Sequence, residues 1–172
     1  MLFRSVLAPG AEPAADPNLV LRVAVAAAEF GLPIAPGTLR NLKKCPIGDR
    51  NWTDESRELF IRLLASGPAL LNVWEDIDFI DVPGKLIPEW LGVRNRPSAS
   101  AAHRYTIDRH MVEVVTRLGR ETPSGGRYDD RHYEALLLAG ILHDIGKRPG
   151  VANHAAEGAR HATVVVERMG FD

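Results

Sequence analysis

The sequence predicts an all-α fold, a helical bundle with an N-terminal helical extension. Three observations carry this expectation. Apolar residues recur at three- and four-residue spacing along most of the chain, as on the buried face of a helix. Strand-like alternation of apolar and polar residues is absent. The apolar runs are bounded by helix punctuation, with Thr, Asp or Asn before them and Gly or Pro after them. At 172 residues, the chain is long enough to bury a sizeable core.

The first helix is expected over residues 18–30, rich in Ala, Val and Leu, and ends at Gly31-Leu32-Pro33. A short helix over 38–44 follows. Thr53 or Asp54 caps the next, which carries Leu59, Phe60, Leu63 and Leu64 and stops at Ser66-Gly67. Pro68 suits a first helical position, and Leu70, Leu71, Val73, Trp74 and Ile77 form one apolar face behind it. Val82-Pro83-Gly84 is expected to break that helix. Residues 94–102, small and polar with Pro97, read as a connector. This places a boundary between residues 1–93, a helical extension, and residues 94–172. In the second part, a helix is expected over 107–120, with Thr106 as N-cap and Ile107, Met111, Val114, Val115 and Leu118 as its stripe. Residues 121–127 form a loop. A second helix spans about 129–144. A third begins at Asn153-His154, presents Ala155, Ala159, Ala162, Val166 and Met169, and stops at Gly170.

Composition excludes several classes. Lys and Arg total 21 against 22 Asp and Glu, which argues against a generally nucleic-acid-binding surface. The single Cys45 rules out an internal disulfide and fits a reducing compartment. The most apolar stretch, residues 19–30, is too short to span a bilayer and contains Arg22 and Glu29. The first ten residues lack a signal-peptide core before Pro9-Gly10. A cytoplasmic protein without a membrane partner is expected.

All six histidines follow the connector, so the chemistry is expected there. His143-Asp144 ends a strongly apolar run, where burying such a pair is costly without an offsetting partner. Imidazole and carboxylate together suit a divalent metal, with Mn or Mg ahead of Fe or Zn. Neighbouring residues in mid-helix point about 100° apart. A helix end followed by Gly146 lets both side chains converge. His110 sits at the edge of a buried helix face, and two packed antiparallel helices bring it to the same point. A lone histidine there would otherwise be a hydrogen-bonded core residue, and a lone Asp144 a polar helix cap. His154 is a candidate further ligand or substrate contact, set against an ordinary polar helix start. His161, about 10 Å further along that helix, cannot share one ion with it and reads as a surface or supporting residue. His103 and His132 read as surface residues. Lys147 and Arg148 are either a solvated loop or a pair that neutralises phosphate charge.

The strings Thr106-Ile107-Asp108-Arg109-His110 and His143-Asp144-Ile145-Gly146-Lys147 resemble the HD superfamily of metal-dependent phosphohydrolases, whose all-helical fold orders its ligands His…His-Asp…Asp. With Pro88-Glu89-Trp90 and Arg94-Asn95-Arg96-Pro97 upstream, the chain is similar to the HD region of the family of bifunctional uridylyltransferase/uridylyl-removing enzymes. The resemblance runs from about residue 60 to the end. It implies hydrolytic removal of a nucleotidyl (UMP) group from the PII nitrogen-signalling protein. It implies that His110, His143 and Asp144 hold the ion, with His154 as a candidate addition, and that Asp144 and Lys147 take part in catalysis. Two other readings compete: an HD phosphohydrolase acting on a free nucleotide such as guanosine tetraphosphate, and a non-catalytic helical regulatory module.

The chain departs from the family pattern twice. Asp76-Ile77-Asp78 lacks the Gly-Ser and the strand of a nucleotidyltransferase signature. The family's final aspartate ligand lies on a later helix, and Asp172 is too close to the preceding helix to replace it. The chain therefore reads as an internal segment of a larger enzyme without its transferase domain.

Overall fold

The computed structural model describes residues 4–47, 52–98, 104–119 and 130–171. Among them, eight α-helices and one short 3₁₀ helix form, with only two isolated backbone bridges, Ser5 to Ile34 and Pro97 to Thr106. The all-α expectation holds. None of these helices is long and apolar enough to cross a membrane.

Helix α1 (Leu19–Phe30) buries Val20, Leu21, Ala24, Val25, Ala27 and Ala28. Gly31 ends it at φ +61°, a left-handed conformation that costs glycine little. Asn18 does not cap α1 with its side chain. It reaches instead to Glu55 (2.8 Å) and accepts from Ser56 Oγ (2.8 Å), tying α1 to the start of α3 (Asp54–Leu64). Thr53 caps α3 reciprocally with Ser56, in keeping with the sequence signal. Between them, α2 (Pro36–Leu42) starts two residues earlier than expected, because Pro36 occupies the first turn, where its missing N–H costs nothing. Cys45 is buried just after α2, and burial pushes its thiol up, so it behaves as an apolar core group.

Helix α4 (Ala69–Asp78) packs on α1 and carries the expected face of Leu70, Val73, Trp74 and Ile77. The expected break at Val82-Pro83-Gly84 is corrected by the structure. The chain reverses one residue earlier, at Asp81, which takes φ +64°, and Val82-Pro83 opens a short α5 (Val82–Leu86). Proline in the first turn begins a helix as readily as it ends one. Arg94 secures this corner. Its guanidinium donates to Asp78 (3.1 Å), Asp81 (2.9 Å) and the Asp78 carbonyl (2.7 Å). Asp76 accepts from the Ile34 amide at 3.2 Å. The Asp-Ile-Asp string is thus a helical segment held by structural contacts.

The 3₁₀ helix (Pro88–Gly92) buries Trp90, which meets Trp74 edge-on at 5.4 Å between ring centres. Helix α6 (Ile107–Leu118) packs against α4 on one side and α7 (Asp130–Leu142) on the other. Thr106 holds the N-cap position, but its side chain makes no capping bond. The loop expected over 121–127, and His103, lie outside the described residues.

Helix α8 (His154–Met169) starts with Asn153 accepting from the Ala156 amide at 3.0 Å and ends at Gly170, φ +78°. Its buried face differs from the expected one. Gly158, His161, Val165 and Met169 face the core; Ala162 and Val166 are half-buried, and Ala155 and Ala159 are exposed. Alanine carries little burial free energy, so the small residues do not decide the rotation of the helix. A bidentate ion pair from Arg168 to Glu89 (2.9 and 2.5 Å) fixes α8 to the 3₁₀ helix. Burial draws the Glu89 carboxyl up, but the Arg168 guanidinium outweighs it and leaves Glu89 below the ordinary carboxylate range.

Candidate metal centre

The apolar helix α7 stops at Leu142, two residues before its expected end, and His143 and Asp144 lie in the turn that follows. Amides of Ile145 and Lys147 bond back to the carbonyls of Leu142 (3.0 Å) and Asp144 (2.9 Å), so the turn stays tightly wound. Gly146 lies at its inner edge. A Cβ there would be 2.6 Å from Gly158 Cα and closer still to the Gly158 nitrogen and the His154 carbonyl oxygen. Glycine at 146 is what allows the turn and the first part of α8 to touch backbone to backbone, whereas a Cβ on Gly158 would come no closer than 3.5 Å to the turn.

This arrangement brings His143 and Asp144 to His110 on α6. One donor atom from each lies within 4.8 Å of the others. Ligands at about 2.1 Å from one ion lie about 3.0–3.4 Å apart at octahedral or tetrahedral angles, so side-chain rotation has to draw the three donors together before they share an ion. The His110 and His143 rings meet edge-on at 5.2 Å. Asp144 is buried, with its side chain 11% exposed, whereas the His143 side chain is 35% exposed and opens the group to solvent.

The donor chemistry fits a divalent ion. His143 Nδ1 lies 2.8 Å from the Gly140 carbonyl, to which it donates. That bond fixes the tautomer and leaves Nε2, 3.4 Å from Asp144 Oδ2, with a free lone pair. The Lys147 ammonium also reaches Asp144 Oδ2, at 2.8 Å. A buried carboxylate with a cation already drawn to it is suited to a more highly charged one.

The other expected residues divide. His154 is exposed at the first position of α8 and is not part of the three-residue group. Its carbonyl, rather than its ring, is what approaches the turn. Arg148 is committed elsewhere: it donates to the Ile145 carbonyl (3.2 Å) and the Glu89 carbonyl (2.5 Å), and its guanidinium covers Gly92 so closely that a Cβ there would lie 2.6 Å from Cζ. It staples the turn to the 3₁₀ helix and is not directed at a phosphate. His132 is exposed, as expected.

His161 is buried, 8% exposed, with Nε2 2.8 Å from Glu157 and 3.1 Å from Arg160. Burial, then Arg148 and Arg160, hold its pKa below the ordinary imidazole value, against the opposing pull of Glu157. Glu89 is the other charged neighbour. As pH falls, the unfolded chain protonates this histidine first. Stability present above about pH 6.5 is therefore lost progressively as pH falls below it. Urea unfolding at pH 7.5 and pH 5.5 should show a smaller pH-dependent loss in His161→Gln than in the parent chain. Identical losses in the two proteins would count against a depressed His161.

Two neighbours of the group have no role assigned by the sequence. Asp108, 8% exposed, accepts from the Asn95 amide at 2.8 Å and pins the connector to the start of α6, two residues before His110. Tyr105 lines, with Ser98, Ile107, His110, Asp144 and Lys147, a narrow gap without room for a water molecule. Its place in the Arg-Tyr-Thr string beside the histidine motif is the only available signal.

No family model and no solved structure matches the chain. Curated relatives do. The chain is 40% identical over 171 residues to the bifunctional uridylyltransferase/uridylyl-removing enzyme of Streptomyces coelicolor, covering 98% of this chain and 20% of that enzyme. It is 38% identical over 167 residues to the Mycobacterium tuberculosis enzyme of the same name, covering 96% of this chain and 20% of that one. Identity to the Corynebacterium glutamicum enzyme is 33% over 160 residues, 91% of this chain and 22% of the relative. The chain spans about one fifth of the length of these relatives. Over nearly its whole length, it is a homologue of one segment of the bifunctional uridylyltransferase/uridylyl-removing enzymes.

Proposed function

We propose that residues 94–172 form an HD-type metal-dependent phosphohydrolase unit, with residues 1–93 as a helical extension packed on it. Its reaction is hydrolytic removal of a uridylyl group from a tyrosine of the PII signalling protein. One observation carries the reading: His110, His143 and Asp144, far apart in sequence, converge in a chain homologous to enzymes named for uridylyl removal.

His110, His143 and Asp144 would hold a divalent ion. Such an ion supplies Lewis acidity and a nucleophilic water at neutral pH. The chain's own residues do the rest. The Gly140 carbonyl keeps the His143 ring oriented. Asp144 contributes the negative charge of the ligand set and orients the attacking water. Lys147, whose ammonium lies 2.8 Å from Asp144, is the cation beside the ligand group that would offset charge building on the phosphoryl oxygens. The water oxygen forms a bond to phosphorus, the bond from phosphorus to the tyrosyl oxygen breaks, and a proton passes to that oxygen. UMP and free tyrosine result.

The reading predicts that the enzyme to which this segment belongs releases UMP from uridylylated PII with Mn and not after chelation, and leaves guanosine tetraphosphate intact. Product analysis by chromatography decides it. Pyrophosphate released from guanosine tetraphosphate would shift the assignment to a free-nucleotide hydrolase. Absence of both activities together with no Mn bound would identify a non-catalytic module.

A further inference from the structure

Two of the three candidate ligands, His143 and Asp144, sit on a turn, and the bonds that shape that turn are short-range. The His143 ring donates to the Gly140 carbonyl, the Lys147 ammonium reaches Asp144, and the amides of Ile145, Lys147 and Arg148 bond to carbonyls two or three residues back. Such bonds fix the shape of a turn. They leave its position relative to His110, on α6, to contacts with other elements. Gly146 supplies one such contact, against α8. Arg148 supplies another. Its Nε donates to the Ile145 carbonyl (3.2 Å), one residue past Asp144, and its Nη2 donates to the Glu89 carbonyl (2.5 Å), 59 residues away in the chain.

The element that receives this bond is itself anchored. Trp90 is buried against Trp74, and Val93, just past the 3₁₀ helix, is buried as well. The Glu89 carboxylate is held by Arg168 of α8, so Glu89 is fixed through its side chain while its carbonyl takes Arg148. Gly92 completes the seat. A Cβ there would lie 2.5 Å from Arg148 Nε and 2.6 Å from Cζ, so the guanidinium occupies the space that a side chain at 92 would need. A planar fork that spans two carbonyls on two elements is a task for arginine, because the single ammonium of lysine cannot reproduce it.

We propose that Arg148 is a positioning residue for the metal centre. By bridging the Ile145 and Glu89 carbonyls, it sets where His143 and Asp144 stand relative to His110. The 3₁₀ helix is then part of the working architecture of the site, although it lies within the proposed helical extension. This rests on the metal-dependent hydrolase reading above.

Two substitutions break the same contact from opposite sides. Arg148→Met removes the fork and keeps an apolar stem. Gly92→Ala leaves Arg148 in the chain but claims the volume of its guanidinium, and the atoms displaced end a flexible side chain, so the backbone need not move. Calorimetric titration of the full chain with Mn should show each variant binding about 10-fold more weakly, the low end of the loss typical for groups that support metal ligands. The double variant should be weakened no further than either single one, because both changes remove one contact. The electron paramagnetic resonance spectrum of bound Mn should change alike in all three as the ligand geometry shifts, while far-UV circular dichroism stays that of the parent chain. A purely structural role for Arg148 would lower the melting temperature and leave Mn affinity and the Mn spectrum unmoved, and that outcome overturns the proposal. So do losses that multiply to about 100-fold in the double variant, because the two residues would then act through separate contacts. A parent chain that takes up no Mn removes the metal centre, and the hydrolase reading and the proposal fall together. A parent chain that binds Mn, beside an Arg148→Met variant that binds it equally tightly, sinks the proposal alone.

Discussion

Replacing His143 with alanine is expected to weaken Mn binding at least 100-fold and reduce metal-dependent hydrolysis to background. Among the described residues, two imidazoles and one carboxylate would be the ligands to such an ion. Losing a residue that merely orients a ligand typically costs 10- to 100-fold in affinity, and losing the ligand itself costs at least that. The fold should suffer little, because His143 lies in a solvent-facing turn with its side chain 35% exposed. Loss of its bond to the Gly140 carbonyl costs about 1 kcal/mol, or about 2–4 °C in melting temperature for a chain of this size. The pairing of lost metal with a melting point lowered by no more than that is the informative result. Calorimetric titration with Mn and a thermal melt of the same sample measure both. Unchanged Mn affinity would remove His143 from the ligand set, and with it the reason for reading the turn as a metal centre.

Gly146→Ala should have the opposite signature, a large loss of stability without removal of any ligand. The added Cβ would meet the backbone of Gly158 and His154 on α8, and backbone in a regular helix cannot swing aside as a side chain can. Overpacking of this kind costs about 3 kcal/mol, which at about 2–4 °C per kcal/mol is a fall of roughly 6–12 °C. Gly150→Ala is the control. Gly150 has φ +77°, but a Cβ there would have nothing within 4 Å, so the substitution carries only the left-handed strain of about 1 kcal/mol. Equal melting temperatures for the two variants would show that the turn and α8 do not pack as tightly as described. In Gly146→Ala, Mn affinity should fall as well, because α8 holds the turn that presents His143 and Asp144.

Much of the architecture is legible because helices announce themselves locally. Thr53, Gly31, Asn153 and Gly170 are end signals whose effect depends on the few residues beside them, and each ends or begins a helix at the expected place. Expectation and structure part where a local signal is ambiguous. Pro83 carries the signal of a helix breaker and opens α5 instead. The alanines of α8 suggest one buried face, but their small side chains leave the rotation of a helix to larger neighbours, and Val165, Met169 and His161 claim the core. The candidate metal group is legible for a different reason. A histidine and an aspartate side by side at the end of an apolar run are costly to bury without a partner, and the chain offers His110 on the preceding helix as the partner.

By itself, the sequence determined the helical class, the positions of most helix ends and the three residues that converge, because those follow from side-chain periodicity, capping chemistry and the cost of burying charge. Tertiary structure alone decided which neighbouring polar groups serve the site and which serve the scaffold. Lys147 and Arg148 are adjacent, yet one reaches Asp144 and the other the carbonyls of Glu89 and Ile145. His154 and His161 lie on one helix, yet the first is left in solvent and the second is buried against Glu157. The physical reason is that these side chains are distinguished only by direction. Direction is set by how α8, the 3₁₀ helix and the turn lock together through Gly146, Gly158 and the Glu89–Arg168 pair, contacts that span up to 79 residues of chain.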